Sequence, residues 1–233
     1  MTVQKMKQID MTRRLGFGML ITMVGGMMDA YSYVVRGQVF ATGQTGNFVL
    51  VAVRLAQGAY LPMLQALVPI LSFWVGVFLA QHLLHRVLEG NDRCWRRNIL
   101  LLEIGLLFLV GWVPRELPHI LANTLISLTA AMQFCCFRNF GENAAYATVF
   151  CTGNMRACAE MYYQGLVLKR KESLKKAHGY GGILLSFFAG ACLGAWLGGA
   201  LGVRSIWCAC GLLAVAVGAL VWEGKRNGKT CCG

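Results

Sequence analysis

The sequence predicts an all-α membrane protein, with six transmembrane helices and two short re-entrant half-helices arranged as an inverted 3+3 repeat. Three observations carry that expectation. Hydrophobic residues make up 57% of the 233 positions and charged residues 14%, against about 25% charged in an ordinary soluble domain. Basic clusters at Lys5–Arg14, Arg86–Arg97, Lys169–Lys176 and Lys225–Lys229 lie at the edges of apolar runs. Finally, one polar phrase is written twice. Thr45-Gly46-Asn47 precedes Gln57-Gly58, and Thr152-Gly153-Asn154 precedes Gln164-Gly165, each element 107 positions after its counterpart.

The elements follow in order. A basic stretch leads into the first apolar run, Leu15–Val35, which ends in Met28-Asp29-Ala30-Tyr31 without a small-x-small cleavage site, so a retained span is expected. Long apolar segments then run at Leu64–Leu84, Asn98–Val113, Ile120–Phe137, Ile183–Leu201 and Ser205–Trp222. Each approaches the roughly 20 residues that cross a hydrocarbon core. Gly46–Gly58 and Gly153–Val167 are shorter and more polar; the first holds Arg54 and the second Arg156 and Glu160.

Charge decides what the short segments do. If only the six long segments cross, all four basic clusters face the cytoplasm together with both termini, as the positive-inside rule expects. If the short segments crossed as well, Arg86, Arg93, Arg96 and Arg97 would face outward. Six spans therefore fit better, and eight spans are the alternative, since strong local hydrophobicity can override the charge bias. The same placement explains the net charge of +12 without nucleic acid: the cations mark span ends and form no aromatic-interleaved face.

The repeat extends past the opening phrase. Ser72, Phe73, Gly76 and Leu79 reappear as Ser186, Phe187, Gly190 and Leu193. The chain reads as one membrane domain, 1–233, with a first repeat over 15–113 and a second over 118–223. Three crossings per half invert the second half, and such repeats place binding sites at their interface near the bilayer midplane. Non-helical backbone at that depth is tolerated only against protein or a wet cavity. Glycine breaks each short segment, and Thr or Asn can cap the helix that follows. The half-helix ends would then direct positive dipoles and N–H groups inward, toward a polar or anionic solute.

Substrate-binding candidates are therefore Asp29, Gln44, Thr45, Gly46, Asn47, Gln133, Thr152, Gly153 and Asn154. Asp29 is the sharpest, because an ionisable group within a span costs about 2.5–3.5 kcal/mol at the centre and is usually functional. Coupling or charge-pair candidates are Asp29, Arg54, Glu103 and Arg138. Arg54 balances Asp29 or snorkels; Glu103 snorkels or pairs inward with Arg138. Arg156 and Glu160, one turn apart, read as a local ion pair. Gly190, Gly194, Gly198 and Gly202 form a small-residue ridge, suited to a homodimer or to the chain's own helices.

Cys135, Cys136, Cys151, Cys158, Cys192, Cys208 and Cys210 lie in apolar segments and read as small hydrophobes. Cys94 is expected in a cytoplasmic loop, as a reduced thiol, and Cys231-Cys232 in a frayed tail. No Cys-x-x-Cys pair or zinc spacing occurs, so no metal or cofactor is expected. Only Asp29 supplies an aspartate within a span, and neither a Gly-x-Ser-x-Gly elbow nor a His-Glu-x-x-His motif occurs, so no enzyme is expected.

Gly26, Asp29, Ala30, Phe40, Gln44, Thr45, Gly46 and Asn47 resemble the pattern of the bacterial YoaK-type family of polytopic membrane proteins, catalogued as a domain of unknown function. Gln133 and Thr152-Gly153 match its second-half pattern, whereas Phe134 and Cys135 stand where Asn-Ala would be. The resemblance spans nearly the whole chain and implies an inner-membrane protein. The expected function is secondary transport of a small polar or anionic solute across the bilayer; the alternative is a non-transporting sensor, scaffold or assembly partner.

Overall fold

The computed structural model describes residues 11–87, 92–141 and 144–226; Cys231-Cys232 and parts of three basic clusters lie outside them. The helices are α1 (Leu15–Val35), α2 (Gln44–Ala56), α3 (Tyr60–His82), α4 (Asp92–Trp112), α5 (His119–Cys136), α6 (Thr152–Leu166), α7 (Lys171–Leu201) and α8 (Ile206–Arg226). Strands β1 (Asn139–Phe140) and β2 (Ala144–Ala145) pair antiparallel between α5 and α6. Every expected segment is helical, and α1 has the expected bounds. At 13 and 15 residues, α2 and α6 are about 20 and 22 Å long, short of a core roughly 30 Å thick.

Among the described residues three helical stretches are long and apolar enough to cross a membrane: Tyr60–His85, His119–Cys136 and Lys171–Arg226, the last holding both α7 and α8. Large apolar side chains face outward on these stretches, including Trp74, Phe78, Leu185, Phe188 and Val215. A soluble monomer rarely leaves so many uncovered, as fits a helical membrane protein.

The two ends of the molecule are fixed by contacts among helix termini. At one end, the Met11 N–H donates to the Glu223 carboxylate (3.1 Å), the Gly141 N–H donates to the Arg13 carbonyl (2.7 Å), and Arg96 bonds to Thr12. At the other, Arg36 bonds to carbonyls at the C-terminus of α4, and the Tyr31 hydroxyl donates to the Val203 carbonyl (3.0 Å). α5 starts at His119 beside Gly37 and packs along α3 through Ser127 on Pro69 and Leu128 on Gly76. That puts the α2–α3 turn at the Arg36 end, while Gly179 against Phe140 puts the α6–α7 turn at the Arg13 end. α2 and α6 therefore end toward opposite ends of the molecule.

α1 packs most extensively on α7 and α3 on α5, while α4 packs on α8. Both of the first two pairings depend on glycine. A Cβ at Gly190 would collide with the Met23 carbonyl, and one at Gly26 with the Phe187 carbonyl. In α3, a Cβ on Gly76 would lie 2.9 Å from the Leu128 carbonyl. Lipid is as apolar as leucine, so close backbone packing of this kind, rather than hydrophobic burial, holds such helices together. The ridge of Gly190, Gly194 and Gly198 is buried against α1 of the same chain.

Two further expectations change. Cys94 is disulfide-bonded rather than a free thiol, whereas the seven cysteines in apolar segments are free. Compartment was inferred from charge alone, which carries no information on pairing. α7 begins at Lys171, twelve residues before its apolar stretch, because Lys171–Tyr180 continues the helix with polar side chains.

Candidate functional site

The loop between α1 and α2 is folded back onto α1 by its own backbone. Asp29 Oδ1 accepts hydrogen bonds from the N–H groups of Thr42 (3.1 Å) and Gly43 (3.3 Å). One turn later, Ser32 Oγ accepts from the Ala41 N–H (3.0 Å) and donates to the Asp29 carbonyl (3.0 Å). The irregular backbone of this loop is thereby satisfied inside protein. Asp29 itself is half-buried.

Asn47 and Asn154 then do the same work in each half. Asn47 Nδ2 donates to the Phe40 carbonyl (2.5 Å), seven residues back. Asn154 Nδ2 donates to the Ala147 carbonyl (2.8 Å), again seven residues back, and its Oδ1 accepts from the Ala147 N–H (3.0 Å). Neither asparagine caps its helix: the positions before α2 and α6 are Gly43 and Cys151, with no side-chain cap. The expected cap is instead a clasp that closes the preceding loop. Both asparagines are buried, whereas Thr45, Thr152 and Gly153 are exposed and Gly46 lies against the Phe40 ring.

The two clasped loops touch. Thr42 Oγ1 donates to the Val149 carbonyl at 3.5 Å, across the same 107-residue interval as the repeated phrase. Gly25 lies beneath the Thr148 carbonyl, so closely that a Cβ there would collide. Gln44 completes the junction: its Nε2 donates to the Ala41 carbonyl and to Ser127 Oγ (both 3.0 Å). Ser127 in turn donates to the Pro69 carbonyl in α3 (2.6 Å). Gln133 Nε2 ties α5 to α1 through the Ile21 carbonyl (3.1 Å).

The charge-pair candidates do not assemble. Arg54 donates to the Pro62 carbonyl (2.7 Å) across the α2–α3 turn and leaves Asp29 without it. Arg138 is exposed, with its guanidinium 5.9 Å from the Phe134 ring, so it is not the partner of Glu103. Glu103 is fully buried, and neither carboxylate oxygen has a hydrogen-bond partner among the described residues. Arg156 and Glu160 do pair, at 3.3 Å on the surface.

Arg36 is the residue that sequence reasoning missed. It is fully buried, donating to Tyr31 Oη (2.9 Å) and to the carbonyls of Val110 (3.0 Å), Val113 (2.7 Å) and Pro114 (3.3 Å). A guanidinium there satisfies the orphan carbonyls at the end of α4 and complements its dipole. Its carbonyl accepts from Asn123 Nδ2 (2.9 Å), which anchors the start of the Asp29 loop. The available signal was an arginine directly after a span, which usually reads as a snorkelling end charge.

The junction thus carries one carboxylate and a set of amides, hydroxyls and carbonyls. Asn47 Oδ1 and Thr148 Oγ1 are buried there without partners among the described residues. The N–H groups of Gly46 and Asn47 are engaged by the Gly43 carbonyl (3.1 and 3.4 Å), which leaves less of the α2 terminus for an anion.

Fold and spans define a helical, multi-pass membrane protein. The chain matches the family model described as protein of unknown function DUF1275 over residues 17–219, and it belongs to that family, the YoaK-type family its motifs resemble. No curated protein and no solved structure matches it.

Proposed function

We propose that this protein is a secondary transporter of the bacterial cytoplasmic membrane, carrying a small polar solute at the junction of the two clasped loops. The observation that carries this reading is the Thr42–Val149 contact beside Asp29, where the preludes to two oppositely directed half-helices meet. The helix pairings support an inverted repeat. Exchanging α1–α4 with α5–α8 turns α1·α7 into α5·α3, α2·α3 into α6·α7 and α4·α5 into α8·α1, all of which are packed pairs. On this reading α1, α3, α4, α5, α7 and α8 cross the membrane, α2 and α6 are re-entrant, and both termini are cytoplasmic.

The junction favours a neutral or cationic solute over an anion. Among the described residues its one charge is Asp29, and the guanidinium of Arg36 is committed to the end of α4. Asp29 is the coupling group, exchanging a proton or sodium ion against the solute. Purified protein in proteoliposomes, given an imposed pH or sodium gradient and a panel of neutral and cationic polar solutes, tests this directly. Gradient-dependent uptake of one class is the expected result.

One observation favours the second reading, a sensor, scaffold or assembly partner. Two cavities of about 260 and 640 Å³ open at the Arg13 end of the molecule, and neither is lined by the loop junction. Absence of flux for every solute, with the fold intact, would select that reading.

A further inference from the structure

We infer that the groove between the start of α1, the β1–β2 hairpin and the first turns of α7 binds the phosphate headgroup of an anionic phospholipid. The groove is a cavity of about 640 Å³ whose lining includes Arg13, Arg14, Lys175 and Lys176, with Leu15 and Phe140 as apolar neighbours. Among the described residues Glu172 is its one acidic lining group.

The depth of this groove follows from helix lengths. α7 has 31 residues and is about 46 Å long, roughly 16 Å more than a hydrocarbon core needs. Its apolar stretch starts at Ile183, so Lys175 and Lys176 stand about two turns outside it. Arg13 and Arg14 directly precede Leu15, the first apolar residue of α1. All four cations therefore fall at headgroup level, and the apolar neighbours lie on the bilayer side.

Pairing among the described residues leaves charge over. Lys176 meets Glu172 at 3.1 Å, and Arg14 approaches Glu223 at 3.9 Å. Arg13 and Lys175 are exposed and have no acidic partner among the described residues. The floor beneath them is fixed. Phe140 packs edge-on against Tyr180 (5.1 Å) and Tyr146 (5.6 Å), and fills the space over Gly179 where a Cβ would lie 2.7 Å from the ring.

A phosphodiester matches this arrangement. Its two unesterified oxygens accept from the guanidinium and ammonium groups of Arg13 and Lys175, while its acyl chains leave along the exposed Leu15 into the bilayer. Basic pockets between helices at the cytoplasmic face take anionic headgroups for this reason. A zwitterionic choline lipid would bring its own cation to a site already rich in them.

The full chain, purified and placed in nanodiscs of phosphatidylcholine with or without phosphatidylglycerol, tests the assignment by lipid retention in native mass spectrometry. Wild type should retain phosphatidylglycerol. Arg13→Gln with Lys175→Gln should weaken retention roughly thirty-fold, from the usual increment for two basic side chains at an anionic surface. Arg170→Gln with Lys171→Gln, at the same end but outside the groove, should leave it unchanged. Thermal unfolding in pure phosphatidylcholine should be the same for all three proteins, which separates lost binding from lost fold. Equal loss in both double variants would mean diffuse surface attraction and would overturn the site. Displacement of the lipid by millimolar inorganic phosphate would reassign it to a free anion.

Discussion

Replacing Asp29 separates what its shape does from what its charge does. In the wild type, Oδ1 accepts from two N–H groups, of Thr42 and Gly43, and so holds the loop that leads into α2. Hydrogen bonds to a charged group contribute about 1.5–3 kcal/mol each and neutral ones about 0.5–1.5. Asp29→Asn keeps an oxygen in the same place, so it should cost about 1–3 kcal/mol in total. Asp29→Ala removes the acceptor from both donors, and Thr42 is fully buried. Two uncompensated N–H groups raise the cost to about 3–6 kcal/mol. Thermal unfolding in detergent should therefore rank wild type, Asn and Ala in that order, with Asn folded and close to wild type. In proteoliposomes, Asp29→Asn should abolish gradient-dependent flux despite its fold, because an amide neither binds a proton nor offers a cation a carboxylate. An Asp29→Asn variant as unstable as Asp29→Ala would refute the hydrogen-bond argument. Wild-type flux by Asp29→Asn would remove this residue from the coupling step.

Other substitutions test separate parts of the account. Gly76→Val and Gly190→Val, at matching positions of the two halves, should each lower stability by at least about 1–3 kcal/mol through overpacking, read as a shift in thermal unfolding. Glu103→Met should stabilise by about 1–3 kcal/mol, since it removes a buried polar group with no partner among the described residues; a loss of stability would reveal a partner. Arg36→Ala should cost about 2–5 kcal/mol by leaving buried carbonyls at the end of α4 unsatisfied. Arg36→Lys should restore only part of that, because an ammonium cannot reproduce the guanidinium fork.

Much of the architecture was legible because lipid imposes a strong pattern. Apolar runs set off by glycine and charge located every helix, and α1 was read to the residue. Hydropathy saw less where a helix leaves the bilayer. The polar turns of α7 from Lys171 to Gly182 and the Asp92 turn of α4 are helical but not apolar, so both starts were placed too late. The repeated phrase marks two loop closures, by a mechanism other than the expected cap. Its asparagines are the buried members of the phrase, but they clasp a loop seven residues back, a distance that no capping rule contains. Arg54 and Arg138 looked like partners for buried carboxylates because sequence shows charge without direction. Arg36, the buried cation, was hidden among ordinary end-of-span charges.

The opposite entry of the two halves is the claim on which the site and its transport role both depend, and cysteine accessibility measures it most directly. Gln57 follows α2 and Lys169 follows α6, so they report the sides on which the two short helices end. In a variant lacking native cysteines, Gln57→Cys should react with a membrane-impermeant thiol reagent in intact cells. Lys169→Cys should react only after the membrane is opened. Labelling of both positions from the same side would contradict the inverted repeat, and with it the meeting of two re-entrant segments from opposite faces.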